Sequence, residues 1–143
     1  MRETQKDENA FTATFTTWAE DNNEWYIDSG ATQHLCLRKE WFRDYKDISA
    51  RKVYLADRTH IIAKGTGTIY INMDINGEES IARLNDVLYI LKLHRNLLSV
   101  NRLVFYRYTV IFDNTGCTIK NNDSKIVALA KKKNNLYHII GIV

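Results

Sequence analysis

The sequence of 143 residues contains no proline, only six glycines and only two cysteines. Two thiols are too few for a disulfide framework, so Cys36 and Cys117 are expected as reduced, partly buried side chains. Cys36 and His34 form an H-x-C pair, but metal sites use wider spacings and more ligands, so neither metal nor cofactor is expected. No apolar run approaches the ~20 residues that span a bilayer, and no signal peptide opens the chain. The expected setting is intracellular and cytoplasmic, without a membrane partner, for a free protein or a piece cut from a polyprotein. Charge of one sign is also scarce. The net charge is +3, and the basic residues are scattered apart from Lys131, Lys132 and Lys133 and the segment Lys92-Leu93-His94-Arg95. Those clusters read as solvated faces. Without the basic stripe that single strands require, nucleic acid is not an expected partner of this domain.

What is present fits a soluble globular protein: 45% hydrophobic and 26% charged residues, in a length suited to one domain. Residues 1–10 are polar and unpatterned and read as a flexible lead-in to a single domain over 11–143. The segments FTATFTT (11–17) and EWYI (24–27) have strand composition, separated by the turn-like Glu20-Asp21-Asn22-Asn23. In GTIYINMDI, Ile69, Ile71, Met73 and Ile75 alternate with Tyr70, Asn72 and Asp74, a period of two with one face in the core. Asn76-Gly77 is the preferred hairpin dipeptide, and SIARL supplies the returning strand. Further short strands are expected at 52–56, 60–63, 86–90, 109–112, 117–119, 125–130 and 135–140. Two stretches have helical spacing. KEWFRDYKD (39–47) places Trp41, Phe42 and Tyr45 on one face. VNRLVFYRY (100–108) groups Val100, Leu103 and Val104 behind Ser99 as N-cap. Many short strands and little helix predict a mainly β fold, a small closed or partly closed β-barrel with one or two short helices.

The triplet Asp28-Ser29-Gly30 follows an apolar strand and occurs once. A carboxylate there can activate water if a second carboxylate shares a proton with it, one acting as base and the other as acid. Ser29 can lock the loop to backbone, and Gly30 allows two backbones to approach. With no second triplet, the partner must come from another copy of the chain across a two-fold axis. Such a site also needs a mobile covering hairpin, and residues 52–68 have its form around the polar tip Asp57-Arg58-Thr59. It needs an apolar strand running into a small residue and a helix, as at Leu97-Leu98-Ser99. It needs a terminal strand for a dimer sheet, for which FTATFTT and NLYHII (135–140) are candidates.

In series, WYIDSGATQHL, EWF, VYLAD, KGTGT, NDVLYILKLHRNLLSV, YTVIFDNTGCTI and NLYHI resemble the protease region of copia-type retrotransposon Pol polyproteins, a retropepsin-like aspartic protease. The resemblance covers about residues 24–140. It implies that Asp28 is catalytic, with Ser29 and Gly30 completing the triplet. It implies a substrate-binding flap containing Ala56, Asp57, Arg58, Thr59, Gly65 and Gly67, and a loop-bracing turn at Leu97, Leu98 and Ser99. It further implies a homodimer, one aspartate per chain, that cuts a Gag-Pol polyprotein with water and no metal, in a virus-like particle. The flap tip departs from the family's Ala-Asp-Gly, with Arg58 in the glycine position, and Leu91 stands in VLYILKL where the family's proline after DVLY is lost. His34 matches a position that is usually histidine and is expected to brace the core or loop. The alternative is a catalytically inactive or repurposed β-barrel module with a structural or interaction role.

Overall fold

The computed structural model describes residues 23–55 and 57–142. Strand β1 (Trp25–Asp28) is followed by β2 (Leu35–Cys36), a single 3-10 turn at Lys39–Trp41, and the long strands β3 (Arg43–Tyr54), β4 (His60–Ile75) and β5 (Glu78–Tyr89). Strand β6 (Asn96–Ser99) then runs into α1 (Val100–Phe105), which is followed by β7 (Thr109–Phe112) and β8 (Gly116–Lys120). The chain finishes with β9 (Ile126–Lys133), β10 (Leu136–Ile139) and β11 (Gly141–Ile142). All eleven strands belong to one sheet in the order β11-β4-β5-β2-β6-β1-β10-β9-β8-β7, with β3 on the remaining edge of β4. The fold is mainly β, as the patterning predicts. The sheet does not close into a barrel among the described residues: β3, β7 and β11 each pair with one strand only.

The alternation in β4 sets that core. Ile69, Ile71 and Met73 are almost wholly buried, while Tyr70 faces out beneath the guanidinium groups of Arg43 and Arg83. Each inward aliphatic side chain contributes roughly 1.5–3 kcal/mol by leaving water. At the turn, Asn76 has φ 55° and Gly77 φ 92°, and Asp74 Oδ1 accepts the Gly77 N–H at 2.8 Å. Two successive positive φ values match the right-handed twist of the hairpin. The returning strand β5 turns Leu84 and Val87 inward and leaves Ile81 71% exposed. Ile119, Ala128 and Ile139, from β8, β9 and β10, complete the main cluster; Leu35, Val53, Ala63, Leu88 and Ile90 form a second one.

Two expectations fail. Residues 39–47 are not a helix; beyond the 3-10 turn they enter β3. Tertiary packing overrides the helical spacing, because the Tyr45 ring lies over Gly65 and meets Phe42 and Tyr89 edge to face. Asp44, at φ 53°, and register shifts along β3 admit that packing. The second failure is Val104, which is 56% exposed; of the face expected on α1, only Leu103 is buried.

Candidate active-site loop

Strand β1 is central in its half of the sheet, parallel to β6 and antiparallel to β10. Its apolar start, Trp25 and Tyr26, is buried, and Asp28 at its end pairs in register with Ser99. Strand β6 is also antiparallel to β2 through Leu97 and Leu35. The consecutive strands β1 and β2 are therefore held apart by β6, and the loop Ser29–His34 must cross its end, where α1 begins.

Ser99 fixes that crossing. It is fully buried, its Oγ donates to the Ala31 carbonyl at 2.7 Å and accepts the Arg102 N–H at 3.1 Å, and its own N–H donates to His34 Nδ1 at 3.0 Å. One hydroxyl thus caps the helix and ties down the loop. Asn101 adds a looser grip, its Nδ2 donating to the carbonyls of Ser29 at 3.5 Å and Ala31 at 3.4 Å. The loop in turn presents Asp28, half-exposed, with Oδ1 accepting the Gly30 N–H at 2.7 Å. Ser29 and Gly30 are exposed. The carboxylate is accessible and is oriented by its own turn.

Burial, aided by the nearby Arg102 charge, pushes the His34 pKa down from 6.5 to about 4. Because Nδ1 accepts a hydrogen bond, the neutral ring carries its proton on Nε2. The expected bracing role fits this position. Burial likewise pushes the thiols up, Cys36 to about 12 and Cys117 to about 11. Both are protonated at neutral pH and poor nucleophiles. Among the described residues, no group of three or more His, Cys, Asp or Glu could hold a metal ion.

The expected flap is a hairpin, with Tyr54 opposite His60. Asp57 Oδ1 accepts the Thr59 N–H at 3.0 Å and the Thr59 hydroxyl at 2.6 Å, bonds that hold its pKa below the usual carboxylate value. Arg58 occupies the left-handed region, φ 71°. Ala56 lies outside the described residues. Gly65 and Gly67 do not belong to the tip. They sit within β4 opposite Tyr89 and Val87, where a Cβ would run into the Tyr45 ring at Gly65 and into the Arg43 carbonyl and Phe42 at Gly67. Strand register separates the tip from the loop. Leu97 pairs with Leu35, Leu35 with Leu88, and Leu88 with Thr66. Asp28 is therefore level with the Thr68 side of β4, away from His60 and the tip. Covering Asp28 requires the hairpin to curl back, a bend favoured by the bulges of β3.

Leu98 lies in the main core and Leu97 packs against the second cluster. Of the two candidate dimer strands, FTATFTT lies outside the described residues. NLYHII is unsuitable, because β10 is paired on both sides, by β1 and β9. Asn101 and Asn96 escape sequence reasoning. Asn96 is fully buried, accepting the Leu37 N–H at 3.0 Å and donating to the Glu24 carbonyl at 2.9 Å, and so staples β2 to the start of β1. An asparagine immediately ahead of the apolar Leu97-Leu98 was its one available signal; Asn101 offered none.

Residues 25–108 match the family model for the Pol polyprotein β-barrel domain. The chain is 32% identical over 123 residues to the retrovirus-related Pol polyprotein from transposon RE2 of Arabidopsis thaliana, an alignment covering 80% of this chain and 8% of that protein. It is 30% identical over 86 residues to the corresponding polyprotein from transposon RE1 of the same plant, covering 57% of this chain and 5% of that one. The chain thus spans less than a tenth of the length of these relatives. No solved structure matches. With its matched region running from β1 through the Asp28 loop to the end of α1, the chain belongs to the Pol polyprotein β-barrel domain family.

Proposed function

We propose that this domain is a retropepsin-like aspartic endopeptidase of a copia-type element, active as a homodimer that cuts a Gag-Pol polyprotein inside the cell. The observation that carries the proposal is the setting of Asp28: an accessible carboxylate at the end of a buried strand, on a loop gripped by Ser99, Asn101 and His34. A mobile loop cannot hold a carboxylate within hydrogen-bond reach of a twin, whereas an anchored one can. Across a two-fold axis, two such groups would share one proton, and water between them would attack the scissile carbonyl. The test uses a peptide spanning a Gag-Pol junction, with and without pepstatin, for the wild-type chain and Asp28→Asn. Asn keeps the oxygen that accepts the Gly30 N–H, so the loop survives while the shared proton is lost. Pepstatin-sensitive cleavage abolished in the variant supports the proposal. A dimer proven by sedimentation that turns over nothing defeats it.

A second function is favoured by one observation. Strand β10 is enclosed, and so cannot serve as the terminal strand of a dimer sheet. A monomeric domain with Asp28 unpaired would be a structural or interaction module of the polyprotein. Sedimentation of the isolated chain separates the two.

A further inference from the structure

Strand pairing gathers cations that lie far apart in the sequence. On β4, Lys64, Thr66, Thr68 and Tyr70 alternate with Gly65, Gly67 and Ile69, so they share the face opposite the buried Ile69. Arg43 on β3 pairs with Thr68 and Lys46 with Thr66, while Arg83 on β5 pairs with Tyr70. Directly opposed residues lie on the same face. Arg43, Lys46, Lys64 and Arg83 therefore form one patch with Tyr70 on the outside of the sheet, and all five are exposed. Only the register assembles this patch; no run of basic residues announces it.

The centre of the patch is a row across three adjacent strands. The guanidinium of Arg43 lies 5.5 Å from the Tyr70 ring centroid and that of Arg83 6.0 Å. Arg83 Nε also donates to Asn85 Oδ1 at 2.9 Å. These contacts hold both guanidiniums without neutralising them: among the described residues, no carboxylate pairs with Arg43, Lys46, Lys64 or Arg83. Asp74 and Glu79 oppose each other nearer the hairpin turn, beyond Asn72 and Ile81. A single-stranded nucleic acid offers what the patch can hold, phosphates alternating with flat bases. Arginine forks grip phosphate oxygens, and guanidinium planes and tyrosine rings stack on bases. From Lys64 to Tyr70 the patch runs ~20 Å along β4, room for a short run of nucleotides. An acidic peptide would use the cations and give the ring no role. We infer that the outer face of β3, β4 and β5 binds single-stranded nucleic acid, with Arg43, Lys46, Lys64 and Arg83 on the phosphates and Tyr70 against a base. The inference is independent of the role of Asp28.

Fluorescence anisotropy of the full chain with a labelled RNA strand of ~12 nucleotides tests the assignment, titrated between ~50 and ~200 mM salt. Binding should weaken as salt rises. R43Q/R83Q should lower affinity roughly 50-fold at ~50 mM salt and flatten the slope of log affinity against log salt by about 1.4, from two lost phosphate contacts. Y70A should lower affinity on the order of tenfold and leave that slope unchanged. K131Q/K133Q removes the same charge from β9 and should change affinity by less than ~3-fold. Four results would overturn the inference: no binding up to ~100 μM protein at ~50 mM salt, equal losses from the two double variants, unaltered affinity in Y70A, or unlabelled oligoglutamate competing as well as unlabelled RNA. The last would make the face a surface for acidic peptides.

Discussion

His34 should make the loop acid-sensitive. Its Nδ1 accepts the Ser99 N–H, so a proton can enter there only by replacing an attraction with two facing donors. The charged form is also disfavoured by burial and by Arg102, which is itself only loosely paired with Asp86 at 3.7 Å. The folded pKa, about 4, lies below the unfolded 6.5. The unfolded chain therefore binds more protons between those values, and folding stability falls as pH drops through that window. The contribution is complete above pH 6.5; integrating the linkage down to pH 4.5 gives a loss of roughly 2.5 kcal/mol. Urea denaturation at pH 7.5 and 4.5 measures it, at ~1–3 kcal/mol per molar of urea. His34→Gln is the control, because its amide oxygen can accept the same N–H without titrating. The wild type should lose about 2.5 kcal/mol more than the variant over this range. Parallel losses in the two chains would refute the assignment of the acid response to His34.

Ser99→Ala removes the helix cap and the donor to the buried Ala31 carbonyl, and should cost roughly 1–3 kcal/mol in denaturant titration. Gly65→Ala drives a methyl group into the Tyr45 ring and should cost about 1–3 kcal/mol. Adding Tyr45→Ser should recover part of that loss, whereas strict additivity would show that the ring is not seated on the glycine. Arg58→Gly relieves a left-handed arginine at the hairpin tip and should raise stability by roughly 0.5–1 kcal/mol in the same assay.

Local chemistry made the β4–β5 hairpin legible, since alternation fixed its inward face and Asn76-Gly77 its turn. The N-cap at Ser99 was legible for the same reason: a small hydroxyl residue ahead of a helical stretch has few other uses. The 39–47 segment was not, because Trp41, Phe42 and Tyr45 satisfy helical spacing while the partner deciding the matter, Gly65, lies twenty residues beyond Tyr45. The mechanics of the Asp28 loop were not legible. The bonds from Asn101, and the staple made by Asn96, depend on β6 lying between β1 and β2. That parallel pairing joins residues about seventy positions apart, and no local pattern encodes it.

The proposed homodimer needs a surface, and the sheet restricts the choice. Strand β10 is paired on both sides. One candidate, among the described residues, is the face formed by α1 and the end strand β7. There Val104, Phe105 and Tyr106 are 56%, 72% and 53% exposed, and Ile111 and Phe112 are each 43% exposed. Among the described residues, strand β7 pairs only with β8, leaving an edge beside these side chains. Stable interfaces bury ~1,200–2,000 Å² around a few aromatic anchors, and α1 carries its apolar groups immediately after Ser99, the residue that holds the Asp28 loop. Phe105→Glu should therefore shift sedimentation toward the monomer and lower peptide cleavage in proportion. Its denaturation midpoint at a concentration where both chains are monomeric should stay within ~0.5 kcal/mol of the wild type, as for other exposed positions. A variant that dimerises as tightly as the wild type would place the two-fold axis elsewhere, and with it the partner for Asp28.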